Sequence, residues 1–245
     1  MKFEQMMGCT TKEFFEIHWE KNLLLAKFSC DLEVASNLNE WPEELLSEVA
    51  GQGDVIMVKD SQYVKQSFLI DEGLVNLKKI KFLWGEGFTF YARNISKFFP
   101  RVAELTTALE EELYPLKIEA NVFLTPSGQT GFNPHFDCHD VIAIQLGGSK
   151  RWKFWPAIKQ DMDYERPTEK DQEMVDQAIF GVDPALEKVM YPGDGFYMPR
   201  GVIHGPQSLA SSCHLTLWLK SPLVKKVNVN RQSQFQKCDY ETHYF

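Results

Sequence analysis

Hydrophobic residues are spaced differently in the two parts of this chain, at helical steps before Ile118 and in short alternating runs after it. The clearest helical pattern lies in FPRVAELTTALEEELYP, where apolar side chains recur every three or four residues until Pro115. This spacing predicts an amphipathic helix whose glutamates face solvent. The apolar positions of this helix are Val102, Leu105, Leu109 and Leu113.

Two more helices are predicted nearer the N-terminus. TTKEFFEIHWEKNLLL carries large apolar residues near helical spacing, with Thr10 or Thr11 as the candidate N-cap. NEWPEELLSEVAG has Asn39 as a cap candidate, Pro42 in its first turn and Gly51 as a stop signal. We therefore expect residues 1–117 to form a helix-rich N-terminal part.

After Ile118 the apolar runs are short and are separated by Gly, Pro, Asn and Asp. Such runs are typical of antiparallel barrels and jelly rolls. One helical insertion, TEKDQEMVDQAIFG, interrupts them. We predict a single domain, mainly β with α, in which residues 118–222 form a double-stranded β-helix (jelly-roll or cupin) barrel and residues 223–245 a polar C-terminal tail. The predicted strands lie in IEANVFLTP, DVIAIQLGG, KRWKFWP, EKVMYPGDGFYMP and CHLTLWLKSP.

Composition narrows the class of protein. The chain has 245 residues, of which 44% are hydrophobic and 24% charged, so it is long enough to bury a full core. The net charge of −8 argues against direct binding of nucleic acid, although a basic peptide or protein remains open as a partner. Five scattered cysteines without a CxxC pair indicate reduced thiols. With no apolar leader and no membrane-spanning stretch, we expect a cytoplasmic protein, and its oligomeric state stays open.

The stretch GFNPHFDCHD places His135 and Asp137 two positions apart, so on a strand both side chains would point to one side. A polar surface strand would also explain this pair. His204, which follows a Pro-Gly-Asp-Gly turn and a short apolar run, supplies a third candidate ligand. Two histidines and one carboxylate form the facial triad of non-haem Fe(II) enzymes, whereas structural zinc sites are usually closed by thiolates. The three residues therefore predict an iron centre.

Lys150 opens the strand KRWKFW and shares a face with Trp152 and Phe154. A lysine in this position either extends from a sheet edge to solvent or binds a buried anion. An unpaired ammonium is costly inside a barrel, so the second interpretation requires a carboxylate partner. Beside a predicted iron centre, we favour the buried anion.

The stretches NVFLTPSGQTGFNPHFDCHDVIAIQLGGSKRW and YPGDGFYMPRGVIH resemble the Jumonji-C 2-oxoglutarate oxygenases. They are most similar to the ribosomal oxygenase branch, which shares the run N-x-Y-L-T-P…G-F…P-H-x-D…D-V-F…Q…G-x-K/R-x-W. The resemblance is close over residues 120–155 and 191–204. It implies Fe(II) and 2-oxoglutarate as cofactors, and hydroxylation of a C–H bond in a protein, peptide or small molecule, or demethylation where that carbon is an N-methyl group. Succinate and carbon dioxide would be the coproducts.

The resemblance also implies roles for individual residues. His135, Asp137 and His204 match the iron ligands, and Lys150 matches the basic residue that binds the distal carboxylate of 2-oxoglutarate. The further residues implied for the cosubstrate pocket are Asn121, Thr125 and Thr216.

This sequence departs from the ribosomal branch at two places. Phe123 stands where that branch usually has a tyrosine, which removes a hydroxyl from the predicted pocket. The branch also continues into a helical dimerisation region and a winged-helix domain, which we do not expect in this chain. The substrate therefore stays open.

Several other interpretations stay open. A cupin enzyme that needs a metal but no cosubstrate, or a non-catalytic cupin binding module, would account for the barrel without a role for Lys150. His139 lies two residues after Asp137, so on a strand both side chains would point to the same side. A place in the site and a surface role are equally consistent with this position. His214 shares parity with Thr216, but its simplest interpretation is a half-buried histidine.

Overall fold

The structure is a computed structural model that describes residues 2–28, 55–159 and 167–221. Its strands form a jelly-roll barrel, as predicted, with one large sheet and one small sheet. The strands are β1 Leu24–Lys27, β2 Val55–Lys59, β3 Gln62–Tyr63, β4 Ile70–Asp71, β5 Leu74–Val75, β6 Thr89–Ala92, β7 Lys117–Thr125, β8 Asp140–Gly147, β9 Lys150–Trp155, β10 Leu186–Met190, β11 Asp194–Met198, β12 Ile203–Ser208 and β13 Ser212–Lys220.

The large sheet has eight strands in the order β1-β11-β8-β13-β7-β6-β2-β3, and the small sheet has the order β10-β9-β12. All of the ladders in both sheets are antiparallel. Strands β4 and β5 form a separate hairpin. Four strands of the large sheet precede residue 118, so this sheet extends beyond the range predicted for the barrel and includes part of the N-terminal region.

The helices agree with the apolar spacing over much of the chain. The amphipathic helix that ends before Pro115 is confirmed, and Val102, Leu105 and Leu109 are its buried apolar positions. The helix predicted in TEKDQEMVDQAIFG is also confirmed. The helices are α1 Phe3–Met7, α2 Thr11–Glu13, α3 Gln66–Leu69, α4 Leu77–Gly85, α5 Pro100–Glu112 and α6 Glu169–Ile179, with a π-helical turn at Phe14–His18 and a 3-10 turn at Ile95–Lys97.

Some predictions lie outside the described residues. The helix predicted in NEWPEELLSEVAG and the tail from 223 to 245 both fall there. Within the described ranges, no helix combines the length and the apolar character needed to cross a membrane.

The helix expected across TTKEFFEIHWEKNLLL is shorter than predicted. Thr10 is its N-cap, with the hydroxyl accepting a hydrogen bond from the Glu13 amide at 3.2 Å, but helical structure ends at His18. Leu24 and Leu25 instead belong to β1, where they lie opposite Tyr197 and Phe196 of β11. Pairing with the barrel sheet therefore overrides the helical spacing of these leucines, as tertiary contacts often do.

An aromatic cluster attaches the N-terminal helices to the barrel. The ring of Phe14 lies 4.9 Å from that of Phe3 and 4.7 Å from that of Tyr197, both in edge-to-face geometry. The ring of Trp19 stacks on that of Tyr197 at 6.2 Å and also lies 5.9 Å from that of Phe14. Each such aromatic pair contributes about 0.5–1.5 kcal/mol beyond its buried area. The N-terminal segment is thus packed directly against β11 of the large sheet.

The turn between β8 and β9 requires a glycine. Gly148 has a φ of +63°, and a Cβ atom there would lie 1.8 Å from the carbonyl oxygen of Ser211. Only a residue without a side chain fits this close approach. The turn delivers Lys150 to the first position of β9, where its side chain enters the barrel.

Candidate active site

The three predicted metal ligands meet at one end of the barrel. His135 and Asp137 lie in the connection between β7 and β8, and His204 lies on β12. The backbones of the two histidines exchange hydrogen bonds, with N···O distances of 3.0 and 2.8 Å. One ligand atom from each of the three residues can be chosen so that all lie within 4.8 Å of one another. This spacing is suitable for a single metal ion bound on one face.

Backbone carbonyls orient both imidazoles. Nδ1 of His135 lies 2.8 Å from the carbonyl oxygen of Asn133, and Nδ1 of His204 lies 3.1 Å from that of Val202. A carbonyl can only accept, so each Nδ1 carries a proton, and in the neutral imidazole Nε2 is then the atom with the lone pair. A histidine held in this tautomer is prepared to bind a metal through Nε2.

The electrostatics of the centre favour a cation. Burial, followed by the neighbouring His135, lowers the pKa of His204 well below its ordinary value, so its imidazole is neutral. Burial raises the pKa of Asp137, although His135 and His139 act in the opposite direction. Without a cation the carboxylate is therefore poorly stabilised. A divalent metal would supply the missing positive charge.

The three candidate metal ligands line a cavity of about 870 Å³ between the two sheets. Such a volume is typical of a small-molecule site and has room for more than a single small acid. Its walls come from both sheets, including Ala143 of β8 and Trp152 of β9. Trp152 contacts both His204 and His214, with ring centroids 6.0 and 5.3 Å apart. The cavity therefore connects the candidate metal ligands with the buried end of the barrel.

Lys150 lies at that buried end, with 2% of its surface exposed. Its Nζ atom lies 3.2 Å from Oγ1 of Thr125 and 3.0 Å from Nδ1 of His214. Within the described ranges, no carboxylate lies within salt-bridge distance of this amine. Burial lowers the pKa of Lys150 to about 7. This is the environment expected of a cation whose partner is a ligand.

Six of the seven predicted site residues line the cavity, and Asn121 is the exception among the described residues. The Oδ1 atom of Asn121 accepts a hydrogen bond from the Asn94 amide at 3.0 Å. Its Nδ2 atom is buried without a hydrogen-bond partner in the described part of the chain. Thr216, by contrast, lines the cavity from β13, opposite Ala143. A cosubstrate contact at Asn121 stays a prediction.

His214, for which the sequence favours an ordinary half-buried histidine, is a buried residue of the cavity. It is 5% exposed, lines the cavity and contacts Lys150 directly. Its ring stacks on Phe123 at 4.7 Å with an interplanar angle of 6°, and Phe123 in turn stacks on Tyr91 at 4.3 Å. The sequence shows only that His214 lies two residues before Thr216, so that on a strand both side chains point to the same side. That signal could not reveal the contact with Lys150, which comes from the other sheet.

A second buried charged group lies at the first position of β8. Asp140, also 2% exposed, accepts a hydrogen bond from the Tyr197 hydroxyl at 2.6 Å. The Nε atom of Arg200 lies 3.9 Å from Asp140, and the same guanidinium contacts Glu20. The Tyr197 hydroxyl also accepts from the Glu20 amide at 2.8 Å. We call Asp140, Tyr197, Arg200 and Glu20 the carboxylate cluster.

The fold and the site together define a class of protein: a cupin-type jelly roll with a histidine–aspartate–histidine cluster and a buried cation in one cavity. The sequence profile of the JmjC domain matches residues 94–227, which is more than half of the chain. The chain belongs to the JmjC domain family.

Curated relatives support this membership. The chain is 29% identical, over 220 residues, to a bifunctional lysine-specific demethylase and histidyl-hydroxylase NO66 of Drosophila willistoni, a match that covers 84% of this chain and 27% of the relative. The NO66 protein of Caenorhabditis elegans is 30% identical over 141 residues, which cover 55% of this chain and 18% of that protein. The chain thus corresponds to about a quarter of the length of these relatives, or less.

Solved structures show the same fold. The ribosomal oxygenase YcfD of Escherichia coli superposes with a TM-score of 0.59 at 18% identity, covering 91% of this chain and 54% of that protein. YcfD in complex with cobalt and 2-oxoglutarate superposes with a TM-score of 0.58 at 17% identity, covering 89% of this chain and 53% of that protein. At this identity the likeness establishes the architecture alone.

Proposed function

We propose that this chain is an Fe(II)- and 2-oxoglutarate-dependent oxygenase that hydroxylates a C–H bond. The observation that carries the proposal is the occurrence, in one cavity, of the cluster His135, Asp137 and His204 and of the buried cation Lys150. Two histidines and a carboxylate are the ligand set of non-haem Fe(II) oxygenases. A cosubstrate-free cupin enzyme has no use for the buried ammonium, whose cost in free energy is otherwise unexplained.

The residues of the chain would bind and orient the reactants. His135 and His204 would hold the iron through Nε2, with Asp137 as the third ligand on the same face. Lys150 and Thr125 would bind the distal carboxylate of 2-oxoglutarate, and Thr216 lies on the cavity wall where it is suited to contact the same molecule. The buried position of Lys150 keeps water from competing for this carboxylate.

When bound, Fe(II) and 2-oxoglutarate would supply the oxidising chemistry: one oxygen atom of O₂ enters the substrate C–H bond, and the other is used as the oxo acid loses carbon dioxide and becomes succinate. The apolar and aromatic wall formed by Phe123, Tyr91 and Trp152 would exclude water and side reactions during this step. With an N-methyl carbon as the target, the same hydroxylation would lead to demethylation.

A side chain of a protein or peptide is the substrate that we favour. The names of the NO66 relatives specify lysine demethylation and histidine hydroxylation. In this chain, the cavity wall includes Tyr63, whose surface is 60% exposed, and the neighbouring pair His139 and Trp218, with ring centroids 5.3 Å apart. Exposed or partly exposed aromatic groups at a cavity are suited to contact a bound side chain. The net charge of −8 would favour a cationic substrate.

The proposal is tested by anaerobic titration of the full chain with Fe(II) and then 2-oxoglutarate. A visible metal-to-ligand charge-transfer band is expected in the wild-type chain. We expect the band to be lost in His135→Ala because iron no longer binds, and to be weakened in Lys150→Ala because the oxo acid is held at one end only. His18→Ala, which lies outside the cavity, serves as the control.

The possible results separate the alternatives. Iron binding without the band would contradict the cosubstrate assignment and favour a cupin enzyme that uses only a metal. Absence of metal binding would leave a non-catalytic binding module. If the band forms, incubation with peptide libraries and mass spectrometry for the addition of one oxygen atom or the loss of a methyl group would identify the substrate class.

A further inference from the structure

Three polar side chains meet at the buried end of the cavity: Lys150, Thr125 and His214. Their exposed fractions are 2%, 2% and 5%. Oγ1 of Thr125 receives hydrogen bonds from Lys150 and from Thr89, each at 3.2 Å, so the Thr125 hydroxyl hydrogen remains to be donated. This end of the cavity is therefore rich in hydrogen-bond donors.

The contact between Lys150 and His214 fixes the tautomer of the histidine. A charged ammonium has only donors, so Nδ1 of His214, at 3.0 Å, must accept. Burial and the adjacent positive charge lower the pKa of His214 well below its ordinary value, and its imidazole is neutral. A neutral imidazole that accepts at Nδ1 carries its proton at Nε2. His214 is then a donor toward any anion that lies beside Lys150.

The ring of His214 has little freedom to turn. One of its faces stacks on Phe123 at 4.7 Å, and the ring of Trp152 approaches at 5.3 Å with an interplanar angle of 89°. No hydrogen bond to Nε2 is formed by any of the described residues, although His214 lines the cavity. Nε2 of this rigid ring is therefore available to donate to a ligand in the cavity.

We propose that His214 is a second binding residue for the distal carboxylate of the oxo acid, with Nδ1 holding Lys150 in place and Nε2–H donating to a carboxylate oxygen. The inference rests on the proposed function and adds a residue to it. Phe123 has no hydroxyl to contribute, so Lys150, Thr125 and His214 together supply the donors that a carboxylate requires. The site selects a 2-oxo acid with a second carboxylate at its far end.

The test is calorimetric titration of the Mn(II)-loaded full chain with two probes. 2-Oxoglutarate has a distal carboxylate, whereas oxalate can chelate the metal but has no distal arm. His214→Phe keeps an aromatic ring for stacking and removes both hydrogen bonds. We expect it to bind 2-oxoglutarate about ten-fold or more weakly than the wild-type chain, since hydrogen bonds to charged groups are strong, and to bind oxalate and Mn(II) unchanged. His18→Phe is the matched control outside the cavity.

Each outcome is decisive. Equal affinity of His214→Phe and wild type for 2-oxoglutarate would overturn the role of His214, as would a parallel loss for oxalate, which would indicate a general disturbance of the site. A wild-type chain that binds Mn(II) but not 2-oxoglutarate would instead overturn the proposed function itself. His214→Gln keeps an N–H donor and is expected to recover part of the lost affinity.

A spectroscopic measurement on the unmodified sequence keeps the inference testable should the His214 variants fail to fold. In the ¹⁵N-histidine-labelled, Zn(II)-loaded chain, we expect His214 to be the Nε2–H tautomer and its Nε2 proton to shift downfield on addition of 2-oxoglutarate but not of oxalate. An Nδ1–H tautomer, or a proton that does not respond to 2-oxoglutarate, would contradict the proposal.

Discussion

Asp140 and Lys150 are both almost completely buried in the same barrel, yet they have opposite kinds of partners. Asp140 lies within the carboxylate cluster, where a tyrosine hydroxyl and a guanidinium approach it. Lys150 contacts only uncharged groups, namely Thr125 and His214, among the described residues. Burial raises the pKa of Asp140 to about 7 and lowers that of Lys150 to about 7.

The comparison indicates what each charge is for. The carboxylate cluster connects Glu20, in the N-terminal segment, with strand β11 and with Arg200, so its partners belong to the fold. The partner of Lys150 must come from outside, and the protein bears the cost of its burial until a ligand arrives. Disruption of the pairing around Asp140 should therefore reduce the stability of the fold. Removal of Lys150 should instead reduce the binding of 2-oxoglutarate.

The largest effect is expected from Arg200→Met. This change leaves Asp140 and Glu20 without their cation in a buried environment, so the free energy of unfolding should fall by about 3 kcal/mol. Urea denaturation measures this loss. Arg151→Met, which removes a partly exposed pair with Glu187, should cost less than about 1 kcal/mol. Equal losses in the two variants would show that the cluster does not stabilise the fold in the way we describe.

Lys150→Met is expected to weaken ligand binding without lowering the stability of the fold. The affinity for 2-oxoglutarate should fall by about 100-fold, because the distal carboxylate would lose its charged partner. The free energy of unfolding at pH 6 should rise or stay unchanged, because a buried, unpaired ammonium has been removed. Calorimetry and urea denaturation measure the two quantities, and exposed Lys188→Met is the control. A clear loss of stability would mean that Lys150 is a structural residue.

Tyr197→Phe is a smaller perturbation of the carboxylate cluster. The change removes the hydroxyl that donates to Asp140 and accepts from the Glu20 amide, while the ring keeps its packing against Phe14. We expect a loss of about 1–2 kcal/mol in the free energy of unfolding and no change in the affinity for 2-oxoglutarate. An altered affinity would show that the two buried charges are coupled.

The smallest expected effect is a pH dependence of the stability difference between Lys150→Met and the wild-type chain. The pKa of Lys150 is lowered in the folded chain, so between pH 7 and the ordinary lysine value the unfolded chain binds more protons, and stability rises with pH. Between pH 6 and pH 8 the advantage of Lys150→Met over wild type should thus shrink by about 1 kcal/mol. Urea denaturation at both pH values measures this change. A constant difference would place the pKa of Lys150 outside this interval.

The sequence predicted the parts of this molecule that depend on local pattern. The apolar periodicity of α5 predicts that helix, because one of its faces is buried, and the short apolar runs after Ile118 predict most of the barrel strands, of which β8 and β11 are buried along nearly their whole length. Leu24 and Leu25 fall within the predicted helix TTKEFFEIHWEKNLLL but belong to β1, because nothing local reveals that β11 offers them a sheet edge. Spacing and turn residues were enough to select His135, Asp137 and His204, which the structure brings together.

The contacts that cross between sheets could not be predicted in this way. His214 and Lys150 are 64 residues apart and lie on strands of different sheets, so no local pattern relates them. The charged environment of Asp140 likewise depends on Glu20 and Arg200, which are 180 residues apart. Such pairs are fixed by tertiary packing, and they become visible only when the barrel has been assembled.

The reciprocal hydrogen bonds between the backbones of His135 and His204 give the candidate metal centre an intrinsic reporter. Both amide hydrogens can exchange with solvent only when the two segments separate. Their exchange rates in deuterated water therefore measure how often the empty centre opens, independently of any colour or turnover. Strong protection of both amides before metal is added would mean that the ligands are in place from the time of folding, and that metal capture requires no rearrangement of the chain.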